Sequence, residues 1–170
     1  MDEVGTAVIS GNLNDIGIIL SVNMNFCSIF KYDKYQLVKS SINKIMPYYI
    51  SKFHDSFLKR YLETAKAHIL DSDRIVFGMV ASGFIKPLIL HAKMIPNLEQ
   101  SIRFIGLIKK IKKTSEFYKT TDATKCLPIS LIICNQIGNV FGVSQKVYFF
   151  INLGLSKLWY PTKCTSKLKG

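Results

Sequence analysis

Residues 41–98 join one helical repeat to two long strands with almost nothing between them, and that juxtaposition limits what the chain can fold into. The stretch opens SINKIMPYYISKFHDSFLKRYLETAKAHIL and passes into RIVFGMVASGFIKPLILHAKMIPNL. Pro47 suits the first turn of a helix, where its missing N–H is not needed. From there Ile50, Phe53, Phe57, Leu58, Tyr61, Leu62 and Ala65 recur at helical spacing. Lys52, Asp55, Ser56, Lys59, Arg60, Glu63 and Lys66 hold the opposite face. Asp55 precedes Lys59 by four residues, the better orientation for a helical ion pair. The apolar stripe is the pattern of ordinary core packing. Asp71 and Asp73 end the helix. Residues 74–80 and 84–95 are rich in β-branched and aromatic side chains around Ala81, Ser82 and Gly83, so a hairpin of two long strands is expected. Pro87 cannot donate to a ladder and marks an edge or a bulge, and Pro96 closes the strand. Residues 102–111 make a further strand with Gly106 in its middle.

Upstream, residues 6–13 and 16–22 read as two strands meeting at Asn14 and Asp15, which tolerate turn geometry. Asn23 can cap the next helix through its side-chain oxygen. Phe26, Ile29 and Phe30 fall on one face of that short helix. Asp33 caps a second helical turn carrying Tyr35 and Leu37. The order is two strands, short helices, one longer helix, then three strands. This is an α+β arrangement, a five-stranded antiparallel sheet with helices on one face.

The chain has 170 residues, 48% of them hydrophobic, enough for one domain with a true core and a little more. A net charge of +12 raises the question of anionic partners. The lysines are scattered, however. The dense run Lys109, Lys110, Lys112 and Lys113 lacks the interleaved aromatics of a nucleic-acid platform, so no nucleic-acid partner is expected. Cys27, Cys126, Cys134 and Cys164 show neither C-x-x-C spacing nor a neighbouring histidine in a zinc pattern, so reduced thiols are expected. The opening residues lack the basic start and apolar run of a signal peptide, and no apolar run is long enough for a membrane span. The expectation is a cytoplasmic chain, or the cytosolic part of a membrane protein, tied to a membrane only through a longer parent. No G-x-S-x-G elbow, P-loop, H-E-x-x-H or kinase signature is present, and no catalytic residue is assigned.

Residues 114–126 are polar and read as a linker. Beyond them PISLIICNQIGNVFGV (128–143) is similar to AVISGNLNDIGIILSV (7–22). Ser144 stands where Asn23 stood, and residues 147–153 are similar to the helix that follows. Residues 127–170 are therefore read as an incomplete second copy of the first domain or as a C-terminal extension.

Several short motifs in order resemble the PAS family. They are Asn23 with Phe26, Phe30-Lys31-Tyr32 with Leu37, and Ile45-Met46-Pro47. His54, Phe57, Leu58 and Tyr61 follow as H-x-x-F-L-x-x-Y. Gly83-Phe84-Ile85-Lys86-Pro87-Leu88 and Phe104-Ile105-Gly106-Leu107-Ile108 complete the set. Lys39 and Ser82 depart from it at turns, where the family often has a glycine and an Asp or Asn. The Lys, Asn and Ile tone is similar to PAS repeats in large ciliate membrane proteins. The resemblance implies a PAS-like domain over residues 5–113. It implies a sensory or protein-interaction module that takes a small ligand or a partner on its sheet face, or pairs with a second PAS domain, and relays through the last strand. No cofactor is the first expectation.

Haem is the alternative. The run Arg60-Tyr61, His68-Ile69, Arg74-Ile75-Val76 and Gly78 is similar to haem-binding PAS domains of oxygen-sensor kinases. That resemblance implies His68 as an axial ligand and Arg74 as a propionate contact, with Phe57, Tyr61, Ile69, Leu88, Leu90, Ile105 and Leu107 around the pocket. The plain readings are a surface histidine near a helix end for His68, helix surface or core edge for His54, and a small buried thiol for Cys27. A ligand-free structural domain and a basic membrane- or nucleic-acid-associated module using Lys109 to Lys113 are the remaining alternatives.

Overall fold

The computed structural model describes residues 4–64, 71–96, 102–111, 131–145 and 147. Five strands, β1 (Gly5–Ser10), β2 (Ile19–Val22), β3 (Asp73–Met79), β4 (Ile85–Pro96) and β5 (Ile102–Lys110), form one antiparallel sheet in the order β2-β1-β5-β4-β3. The first strand therefore lies beside the last. Its register runs from Gly5 opposite Ile108 to Ser10 opposite Arg103. Side chains alternate across a sheet, so Ala7 and Ile9 share one face with Phe104, Gly106 and Ile108. This face is buried with the helices. Thr6 and Val8 share the far face with Leu107 and Ile105.

The helices are α1 (Met24–Phe30), α2 (Lys34–Leu37) and α3 (Tyr48–Thr64), with a 3₁₀ turn over Ile42–Ile45 between the last two. Asn23 starts α1 as expected. Its Oδ1 accepts from Phe26 N and from Thr6 N, both at 2.9 Å, and its Nδ2 donates to Val4 O at 2.9 Å. One side chain thus caps the helix and pins it to β1. The helix crosses the sheet at Gly5, where a Cβ would come within 2.9 Å of Ile29 Cδ1. Asp33 begins α2, and Gln36 Oε1 accepts from Asp33 N at 3.0 Å. Phe26, Ile29, Phe30 and Leu37 are fully enclosed with Ile19, Val22, Leu88, Phe104 and Ile108. Lys39, the residue at a position the PAS pattern gives to glycine, has φ 66. The turn needs a left-handed residue there.

Two expectations change, and a third, the local edge at Pro87, is met. The first strands are shorter than the apolar runs, and residues 11–18 form a loop rather than a tight turn. Ser10 Oγ donates to Asp15 Oδ1 at 2.6 Å and accepts from Asn12 N, while Asn12 Oδ1 accepts from Asn14 N. These local bonds compete with the ladder and win. Pro87 lies in β4, an interior strand, opposite Phe77. Pairing with β5 begins only at Leu88, so the proline sits at a local edge. Asp55 makes no ion pair with Lys59 among the described residues. Asn43 Nδ2 donates to both of its oxygens instead, at 3.0 and 3.1 Å.

A second, two-stranded sheet holds β6 (Ile132–Cys134) and β7 (Val140–Val143). Val143 and Val147 are buried against Val80 and Phe84 at the β3–β4 turn. The interdomain linker expected at 114–126 lies outside the described residues.

Asn23→Ala removes the cap of α1 and its tie to β1 together. The expected loss is about 1–2 kcal/mol of unfolding free energy in urea denaturation. Asn23→Asp, which keeps an acceptor, is expected to lose less.

Candidate functional site

The helix-side face of the sheet narrows to its smallest side chains at its centre. Ala7 is opposite Gly106, and Gly106 is opposite Ala92, so three adjacent strands place Ala, Gly and Ala in one row. The row on one side is Ile9, Phe104 and Met94, and on the other Ile108 and Leu90 with Arg74 at the β3 end. Among the described residues, a Cβ built at Gly106 finds only Leu90 Cδ1 within 4 Å, at 3.4 Å. Helix α3 passes above. Tyr61 reaches down from it, its ring 5.8 Å edge-on from Phe104 and its hydroxyl 3.6 Å from Met94 Sδ. Leu58 and Leu62 pack on the same core. Among the described residues this makes a recess in the row of small side chains, with Tyr61 over the Phe104 row and Arg74 at the β3 end of the Ile108 row.

The residues expected to line a pocket divide. Tyr61, Leu88 and Leu90 face the recess side. Ile105 and Leu107 do not. They lie on the far face, opposite Val8 and Thr6, because the β1–β5 register puts Phe104, Gly106 and Ile108 inward. Phe57 is 55% exposed and lines nothing. Arg74 stands on the helix-side face opposite Leu90. His68 and Ile69 lie outside the described residues, so the expected iron ligand is not placed. Among the described residues no cluster of His, Cys, Asp and Glu could hold a metal. Cys27 is buried and Cys134 exposed, and both are free; Cys126 and Cys164 lie outside the described residues.

The far face carries its own apolar stripe. Ile75 is opposite Ile89, and Val8 is opposite Ile105; Leu107 is opposite His91. Across the same stripe His91 Nδ1 meets Asp73 Oδ1 at 2.9 Å.

A polar corner holds α3 to the rest. His54, Leu58, Tyr61 and Leu62 form the inward stripe, so His54 belongs to the helix's buried side while Phe53 and Phe57 flank it. The Asp55 carboxylate, bonded to Asn43, packs against Gly17, where a Cβ would lie 3.1 Å from Oδ1. His54 Nδ1 is 3.7 Å from Asp55 Oδ1, too long for a hydrogen bond, and like Asn43 Oδ1 it is a buried atom without a partner among the described residues. Burial lowers the His54 pKa from 6.5, outweighing the attraction of Asp55. At the other end of the face, burial lowers the Lys86 pKa, assisted by Lys31 and Lys110.

A PAS domain from Desulfitobacterium hafniense matches this chain with a TM-score of 0.50 at 15% identity, over 64% of this chain and 93% of that one. This unit has the PAS fold. A light-oxygen-voltage domain, solved in work on its mechanism with a flavin analogue, matches this chain with a TM-score of 0.50 at 11% identity. That match covers 71% of this chain and 88% of the other. No family model matches the sequence. In sequence the chain is 30% identical over 99 residues to a probable serine/threonine-protein kinase of Dictyostelium discoideum. The match covers 58% of this chain and 6% of the kinase. No helix among the described residues is long and apolar enough to cross a membrane.

The direction of the His54 shift sets a pH dependence for the PAS unit. Below 6.5 the unfolded chain binds a proton at His54 that the folded protein resists. Protonation therefore favours unfolding, and stability falls as pH drops through 6.5 toward the folded-state pKa. Thermal unfolding of the wild type from pH 7.5 to 5.5 is expected to show this acid slope, and His54→Gln to flatten it.

Proposed function

We propose that this PAS unit is a sensory module that holds a small apolar ligand over the Ala7–Gly106–Ala92 row and relays occupancy through β5 into the following chain. The observation that supports the reading is the room at Gly106, where among the described residues a Cβ would meet only the end of Leu90, with Tyr61 edge-on to Phe104 in the next row. A ligand there touches all three central strands and α3 at once. Its arrival or loss changes how firmly α3 lies on the sheet, and β5 is the strand that borders the recess and leads out of the unit.

Haem is one candidate ligand. The described residues supply a flat apolar floor and Arg74 at the open end, a suitable place for an anionic substituent. The axial donor would have to be His68. A second reading rests on the far face. The stripe of Val8, Ile75, Ile89, Ile105 and Leu107 is apolar, and Ile75 is 41% exposed. It suits a protein partner or a second PAS domain.

The test is Gly106→Leu, which places a branched side chain in the recess. The purified wild-type chain is expected to release an apolar small molecule on organic extraction, or to take up added haemin with a sharp Soret band. Gly106→Leu is expected to do neither while keeping its circular dichroism and unfolding midpoint. A Soret band lost in both Gly106→Leu and His68→Ala makes the ligand haem. A wild type that holds nothing, with Gly106→Leu only gaining stability, overturns the ligand reading and leaves the far face as the functional surface.

A further inference from the structure

The C-terminal hairpin reproduces the clamp, the ladder and the turn closure of the first hairpin of the PAS unit. In the first copy Asn23 N donates to Thr6 O at 3.0 Å, and Asn23 Oδ1 accepts from Thr6 N. In the second, Ser144 N donates to Leu131 O at 2.9 Å, and Ser144 Oγ accepts from Leu131 N at 3.0 Å. The registers correspond. Ala7 opposite Val22, Val8 opposite Ser21 and Ile9 opposite Ile19 match Ile132 opposite Val143, Ile133 opposite Gly142 and Cys134 opposite Val140. Each ladder skips one residue at the same step, Leu20 in the first and Phe141 in the second, so even the bulge is shared.

The turns agree as well. Ser10 N donates to Ile18 O and Ser10 O accepts from Gly17 N; Asn135 N donates to Asn139 O and Asn135 O accepts from Gly138 N. Gly17 and Gly138 have φ 75 and 89. Ser10 Oγ accepts from Asn12 N, and Asn135 Oδ1 accepts from Ile137 N. Three residues past each clamp comes a buried side chain, Phe26 and Val147. The clamps span 17 and 13 positions. The difference of four lies wholly in the turn, between Ser10 and Gly17 on one side and Asn135 and Gly138 on the other. The alignment without a gap, Ala7 on Pro128, is thus right for the second strand and displaced by four for the first.

We infer that residues 131–147 are the opening of a second PAS-type unit, and that the tip of the β3–β4 hairpin in the first unit is its docking surface. In the first copy Ile19, Val22 and Phe26 turn into their own core. Their counterparts Val140, Val143 and Val147 turn to Val80 and Phe84 of the first unit. Gly142 lies so close to Ile85 that a Cβ would come within 2.8 Å of Cγ2. The bulged Phe141 stacks on Tyr49 of α3, with ring centroids 5.7 Å apart and planes at 28°. This contact touches the start of the aromatic ridge of Tyr49 and Phe53 on the outer side of α3 and leaves both rings partly exposed. The tip also hangs on α1, through Ala81 N donating to Phe30 O at 2.9 Å. A change in the first unit's core therefore has a short path to the second hairpin, through Phe30, the β3–β4 tip and Val143.

The test is amide hydrogen exchange on the full chain. If Ser144 does the work of Asn23, Ser144→Asn keeps the Leu131 amide as protected as in the wild type. Its side chain is then also in reach of Val147 N, as Asn23 is of Phe26 N. Ser144→Ala is expected to lower Leu131 protection about fivefold, the loss of one such bond. If Asn proves as damaging as Ala, the likeness is incidental and the second unit is rejected. For the docking surface, Phe84→Ala and Gly142→Val, which drives a side chain into Ile85, are each expected to lower protection of the Ser144 amide about fivefold or more while leaving Asn23 N–H unchanged. A Ser144 amide indifferent to both variants overturns the interface. Should Phe84→Ala disturb the first unit itself, Gly142→Val still decides, because it alters only the hairpin's side.

Discussion

Everything in the PAS unit depends on the pairing of β1 with β5. The strands on either side are assembled from hairpins near in sequence, β1 with β2 and β3 with β4 with β5. The two halves meet in the sheet through one register, Gly5 to Ser10 against Ile108 to Arg103, extended by Gly11 N donating to Ile102 O at 2.8 Å. That seam closes a loop spanning nearly the whole unit, so its entropy has to be met before the long-range contacts reward it. It also decides which residues of β5 face the helices. The recess floor lies on the seam, since Ala7 and Gly106 are a pair within it. A change that weakens closure and a change that alters the recess therefore act on the same residues.

Helix α3 is the complementary half of the site, and it is held lightly. Leu58, Tyr61 and Leu62 lean on the core, yet no α3 residue is fully buried. Its firmest anchor is polar, the Asp55–Asn43 corner beside Gly17. The 3₁₀ turn and α1, by contrast, are locked by Ile42, Ile45, Phe26 and Phe30. Such a division suits a cover over a recess. The part beneath stays fixed, and the part above can yield at modest cost because few apolar contacts are lost when it moves.

Much of this was legible in the residues. The strand-rich runs, the Asn23 cap, the Gly83 turn and the helical stripe each follow from local chemistry, and their order implies the sheet. What escaped did so for physical reasons. The sequence IRFIGLI is apolar at nearly every step, so alternation cannot say whether Ile105 and Leu107 or Phe104 and Ile108 face inward; only the partner strand settles it. The apolar stripe of α3 includes Phe53 and Phe57 beside Leu58, Tyr61 and Leu62, yet both phenylalanines are exposed. The buried stripe instead runs His54, Leu58, Tyr61 and Leu62, and includes a histidine that hydrophobicity alone would place outside. Residues 11–18 looked like the end of a strand and the start of another because their apolar members hid Ser10, Asn12 and Asp15, whose side chains close the loop. The same blind spot produced the ungapped repeat, since a shortened turn leaves strand composition unchanged.

Gly106 is the residue that ties fold to function most closely. Glycine in a strand interior costs roughly 0.5–1 kcal/mol relative to alanine, so its presence calls for a reason. Elsewhere in the PAS unit the reason is visible. Gly78 has Phe30 Cε1 within 2.6 Å of any Cβ, Gly5 has Ile29 and the Phe26 backbone, and Gly83 has φ 83. Gly106 has neither a left-handed φ nor, among the described residues, a neighbour closer than the end of the Leu90 side chain. Backbone and described packing would both accept a Cβ there. A protein whose recess is simply a structural core gains by filling it, because cavities cost stability in proportion to their size. Keeping the smallest residue at the centre of three strands, between Ala7 and Ala92, is what the proposed ligand site would require.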